Sequence, residues 1–98
     1  MLTVMTRRAR ADLKAIARYI ARDNPRRAVT FADELLEKCR DIARMPVAFP
    51  LVEGHEAEGV RRRVHGNYLI HYVVQGSTVV ILHVTHAGQH LPDILKDP

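Results

Sequence analysis

The sequence predicts an α+β domain: an N-terminal strand and an antiparallel two-helix hairpin packed on one face of a small antiparallel β-sheet. Three observations predict it. Apolar residues recur at helical spacing over two segments parted by Asn24-Pro25; after Gly59 they switch to strand-like alternation; and the strand-like segments are joined by glycine-bearing turns. At 98 residues one modest core can form, so a single domain over 1–98 is expected. Apolar residues at 47% and charged ones at 27% exclude a disordered chain.

Leu2 to Met5 is a short β-tolerant segment that must pair elsewhere in the domain. Thr6 is placed to cap a helix over 7–23, where Ala9, Leu13, Ile16 and Ile20 form one apolar face. Its other side carries Arg7, Arg10, Lys14, Arg18 and Arg22, a basic stripe ~22 Å long at 1.5 Å per residue, read as a solvated helix face in preference to a docking surface. Asn24-Pro25 breaks the helix and starts the next, because proline disfavours helical geometry before it and suits the first helical position. Ala28, Phe31, Leu35, Cys39 and Ile42 then face inward along a second helix ending near Arg44.

Residues 45–58, with Pro46, Pro50 and Gly54, predict an irregular connection with Phe49 and Leu51 or Val52 against the core. Beyond it, residues 59–86 predict a three-stranded meander turned at Gly66-Asn67 and Gln75-Gly76-Ser77. If the helices cover the face with Tyr68, Ile70, Tyr72, Leu82 and Val84, the opposite face shows Arg61, Arg63, His65, Leu69, His71, Val73, Ile81 and His83. That face is then both apolar and basic, a patch too large for a lone protein to leave uncovered.

Formal charge is +4, unevenly spread. Residues 1–27 hold eight Lys/Arg against two acids, 28–58 three against seven, and 59–98 four against two, giving +6, −4 and +2. Such a balance favours phosphate backbones or acidic protein surfaces as partners. Cys39 is the single cysteine, which excludes an internal disulfide and a cysteine-based metal site. His83, His86 and His90 lie in an H-x2-H-x3-H pattern, but residues three apart on a strand point to opposite faces. No metal and no cofactor are expected. No apolar run approaches the ~20 residues of a membrane span and no secretory leader is recognisable, so a cytoplasmic protein without membrane partners is expected.

The order strand, helix, helix, meander carries A-x2-DL-x2-I-x2-YI at residues 9–20, Asn24-Pro25, Gly59-Val60-Arg61-Arg62, Gly66-x-Tyr68-Leu69-Ile70-x-Tyr72 and His86-x-Gly88-Gln89. In this it resembles the ParE/RelE superfamily of bacterial toxins over nearly its whole length. The resemblance implies the toxin half of a type II toxin–antitoxin module, neutralised by a small antitoxin whose C-terminal segment wraps it. The antitoxin would carry the DNA-binding domain, so DNA is reached only indirectly.

Within the superfamily, RelE-like members cleave messenger RNA on the ribosome, chemistry that needs a base and transition-state cations. They carry a basic residue where Leu69 stands, commonly an arginine near Gly88, and a tyrosine or histidine where Ile94 and its apolar neighbours lie. The Tyr68-Leu69-Ile70 segment and the closing His-x-Gly are closer to ParE-like members, which poison DNA gyrase. The resemblance therefore implies a ParE-like gyrase poison with a ParD-like antitoxin and no catalytic residue. The alternative is a ribosome-dependent endonuclease in which His71, His86 or His90 supplies the acid–base group. Candidate residues for binding antitoxin or target are Arg61, Arg63, His65, Leu69, His71, Val73, His86 and Gln89.

Overall fold

The computed structural model describes residues 1–87, in the order β1 (Leu2–Met5), α1 (Arg7–Ala21), α2 (Pro25–Ile42), β2 (Arg61–His65), β3 (Tyr68–Gln75) and β4 (Thr78–His86). Gly88, Gln89, His90 and Ile94, which entered the sequence reading, lie outside the described residues. Both predicted caps form. The Thr6 hydroxyl accepts the Ala9 N–H at 3.0 Å and donates to the Leu82 carbonyl at 2.8 Å, joining the start of α1 to β4. Asn24 accepts the Arg27 N–H, with Pro25 in the first helical position.

The two helices cover one face of a four-stranded sheet ordered β1-β4-β3-β2. β2, β3 and β4 form the expected antiparallel meander, turned by Gly66 and Gly76 at φ of 59° and 60°, values that glycine adopts without penalty. β1 pairs parallel to β4, so the sheet is mixed where the sequence reading had it antiparallel. The helical hairpin between β1 and the meander supplies the long crossover that parallel pairing requires.

The core joins Ala9, Phe31, Leu35, Cys39 and Ile42 to Ile70, Tyr72, Val79, Ile81 and Val84. Ile81 thus belongs to the helix side, a correction to its expected place on the open face. Between the His71–His83 and Tyr72–Ile81 pairs the register shifts, leaving Leu82 as an additional residue on β4. Below that bulge the odd residues Val79 and Ile81 point inward; above it the even residue Val84 does.

A larger correction concerns Arg61, Arg63 and His65. Their cross-strand partners are Tyr72, Ile70 and Tyr68, and residues directly opposite one another share a face. All three therefore lie on the helix side. Arg61 donates to the Val47 and Phe49 carbonyls, at 3.3 and 2.7 Å. Arg63 donates to the Lys38 carbonyl at 3.2 Å and to Asp41 at 3.0 Å, with its guanidinium 4.8 Å above the Phe49 ring. His65 meets Glu34 at 3.1 Å and lies against Phe31. The basic run thus clamps the end of α2 and the 46–50 connection to the sheet. Tyr72 completes that clamp by donating its hydroxyl to the Pro46 carbonyl.

Candidate functional site

The sheet face turned away from the helices is ordered in rows across the strands. Val4, Val80 and Val73 form one row; Arg62, His71 and His83 the next; Val64, Leu69 and Thr85 the third. Leu2, Val4 and Val64 are 69%, 45% and 61% exposed, and Arg62 is the exposed cation among them. Leu69, His71, Val73 and His83 lie on this face as the sequence predicts, whereas the arginine it offers is Arg62. Apolar side chains around a single cation suit a partner segment with apolar anchors and a carboxylate.

The middle row is sealed. His71 and His83 are 2% and 3% exposed, and His71 Nε2 lies 2.9 Å from the buried Thr85 hydroxyl. Burial, with smaller electrostatic contributions from His83, Arg62 and His55, pushes the His71 pKa down to about 4, so its ring is neutral near pH 7. The Nδ1 atoms of His71 and His55 are buried with no hydrogen-bond partner among the described residues. His83 Nδ1 lies 2.5 Å from Asp12 of α1, whose same oxygen accepts the Val84 N–H at 2.9 Å. Asp12 thereby satisfies β4 where β1 has ended. Burial raises its carboxyl pKa, opposed by the Val84 N–H, His83 and Arg8.

A second surface is a groove of about 560 Å³ between α1 and the sheet end, lined by Ala15, Ile16, Tyr19, Asn67, Tyr68 and His86. The Tyr68 and His86 rings meet edge-on, with centroids 5.5 Å apart. Burial, aided by Tyr19, raises the Tyr68 pKa, so the hydroxyl keeps its proton and can donate. A third surface, a cleft of about 330 Å³ between the helices, is lined by Met5, Leu13, Ala17, Ala32 and Leu36 together with Arg10 and Lys14. Among the described residues no group of three or more His, Cys, Asp or Glu could hold a metal ion, and no helix is long and apolar enough to cross a membrane.

The family model that describes the ParE toxin of the type II toxin–antitoxin system parDE matches residues 4–91. The chain belongs to the ParE toxin family. Among solved structures it is similar to a chain of the chromosomal ParDE toxin–antitoxin system from P. aeruginosa, with TM-score 0.73 and 24% identity, covering 88% of this chain and 95% of that one. It is also similar to a chain of the RelBE2 toxin–antitoxin complex from Mycobacterium tuberculosis, with TM-score 0.65 and 26% identity over 87% and 95% of the two chains. No curated protein sequence matches it.

For this ParE-family chain, the structure adds Leu2, Val4, Arg62 and Val64 to the open face, and gathers Tyr19 and Asn67 beside Tyr68 and His86. The open-face residues were recoverable from the turn. With Gly66-Asn67 as a two-residue connection, His65 must face Tyr68, which sends Arg62 and Val64 to the other side. The sequence singles out His86 as a candidate but not its meeting with Tyr19 and Asn67, because Tyr19 and His86 come from elements whose approach depends on packing.

Proposed function

We propose that this chain is a toxin that binds DNA gyrase and traps its cleaved-DNA intermediate, and that a ParD-like antitoxin neutralises it by covering the open sheet face. The family match carries this reading. The burial of His71 supports it against the endonuclease alternative: one of the three histidines available for proton transfer is sealed, neutral and engaged with Thr85. Leu69 beside it can neither donate a charge-assisted hydrogen bond nor move a proton. On this reading no residue is catalytic, and Tyr68, Tyr19 and His86 offer the target a partly apolar groove with polar tips.

A supercoiling assay with purified gyrase tests the target. Loss of supercoiling with accumulation of cleaved DNA is expected; no effect at several-fold molar excess of toxin overturns it. Toe-printing on translating ribosomes tests the alternative, which predicts A-site cuts that vanish on His71→Ala, His86→Ala or His90→Ala.

A further inference from the structure

The row of valines that crosses the open face is unevenly covered. By the register of β2 on β3, Val60 continues the row of Val4, Val80 and Val73. Val4 is 45% exposed at one end, whereas Val60 at the other is 1% exposed and Val52 beside it 7%. The Val52 N–H donates to the Val60 carbonyl at 2.8 Å, so the chain leaves the sheet at one valine and returns at the other. Residues 53–59 are thus the segment that closes over this end of the face. Their hold is light. Glu53, Gly54, Glu56, Ala57 and Glu58 are exposed. The bonds of the segment are short-range: the His55 N–H donates to the Val52 carbonyl, the Val60 N–H to the His55 carbonyl, and the Gly54 N–H to the Glu56 carboxylate. Few buried contacts and local bonds mark a segment that opens by itself. His55 is its one side chain turned partly inward, with Nδ1 buried.

One row along lies His71, on which His55 acts electrostatically. A neutral imidazole donates from one nitrogen, a protonated one from both. The His71 Nε2 already meets the Thr85 hydroxyl at 2.9 Å, and its buried Nδ1 has no partner among the described residues. A proton gained there leaves one N–H with nothing to bond. The groups that act on the ring are His83 of β4, Arg62 of β2 and His55 of the segment, none of them a carboxylate. Asp12 of α1 is engaged with His83 and the Val84 N–H, and Glu53, Glu56 and Glu58 are exposed. Charge on His71 is therefore accommodated when water reaches it. β3 and β4 are laddered together on either side of the ring, so the lightly held segment is the barrier that yields. We propose that residues 53–59 are an acid-released cover: protonation of His71 lifts the segment, baring Val52 and Val60 and widening the open face toward β2. This is a property of the chain alone and holds whichever partner uses that face.

Hydrogen exchange resolved by residue in NMR spectra of the purified chain tests it, at pH 7 and 5 and corrected for the intrinsic pH dependence of exchange. An opening that brings His71 from about 4 back to its ordinary 6.5 gains about 20-fold in population over that interval. The Val52 and Val60 amides are expected to lose protection by about that factor. Their exchange should also be insensitive to urea below the unfolding transition, because a local opening exposes little surface. Unchanged protection at pH 5 overturns the proposal. So does urea-sensitive exchange that matches Ile70 and Ile81 of the core, which assigns the loss to global unfolding. Two variants fix the trigger. His71→Gln keeps a group able to bond Thr85 and should reduce the response to less than about twofold. Glu56→Gln, at an exposed position, keeps an acceptor for the Gly54 N–H without a titrating carboxylate and should leave the response intact. A response that survives in His71→Gln, or one that vanishes in Glu56→Gln, overturns the proposal.

Discussion

Arg63 of β2 donates to Asp41 across the end of α2 at 3.0 Å while a second bond from the same Nη1 reaches the Lys38 carbonyl, so one guanidinium ties the last turn of the helix to the sheet. A cation there also meets the negative end of the helix dipole. Its side chain is only 14% exposed, which keeps solvent from screening these bonds. Arg63→Ala is expected to cost roughly 1–3 kcal/mol in urea unfolding, since it removes two part-buried charge-assisted bonds and the stack on Phe49. Arg63→Lys should recover the loss only in part, because an ammonium can donate to both oxygens but has no planar face to lie over the Phe49 ring. A loss below about 0.5 kcal/mol in Arg63→Ala would show that the clamp is not structural.

Most of the fold was legible because its signals are local. The capping residues Thr6 and Asn24, the helical repeat of Phe31, Leu35 and Cys39, and the two glycine turns act over a few residues and do not wait for tertiary contacts. The orientation of Arg61 and Arg63 was misplaced for a different reason. Alternation says which residues share a face within a strand, but only pairing says which face that is. Here the guanidiniums find carbonyls and a carboxylate beneath the sheet, so charged side chains sit on the covered side. The bulge at Leu82 inverted the parity of β4 without any glycine or proline to announce it.

The open face makes the next prediction. Arg62 and Val64 are exposed, and neither holds the core together. Arg62→Glu with Val64→Asp should leave unfolding within about 0.5 kcal/mol of the parent. The same pair should weaken antitoxin binding by two orders of magnitude or more in calorimetry, by removing an apolar anchor and reversing the charge. Unchanged affinity would move the antitoxin off this face.

Cys39 provides a chemical probe of the core. It is 2% exposed between Leu35 and Ile42, and burial pushes its thiol pKa up to about 11, with Arg63 and Arg40 opposing the shift only in part. A thiolate is the reactive form, so the folded chain should resist thiol reagents at pH 8. Labelling should appear only as urea opens the helix–sheet core. Rapid stoichiometric labelling of the native protein would contradict that placement.

The buried imidazole of His71 predicts an acid-sensitive stability. Its native pKa of about 4 lies below the ordinary imidazole value of 6.5, so between those values the unfolded chain binds a proton that the native chain refuses. Stability present above about pH 6.5 is therefore lost as pH falls toward 4. From pH 7 to 5 the loss is about 2 kcal/mol, by integrating the proton difference over that interval. Asp12 acts in the opposite sense: its raised pKa makes its ionised form unfavourable in the native chain, a penalty relieved on acidification. His71→Gln keeps a group able to bond Thr85 but removes the titration. Its urea midpoints should change less between pH 7 and 5 than those of the parent. Equal pH dependence in the two proteins would place the titrating group elsewhere, since His83, Arg62, His55 and Thr85 surround His71 in both.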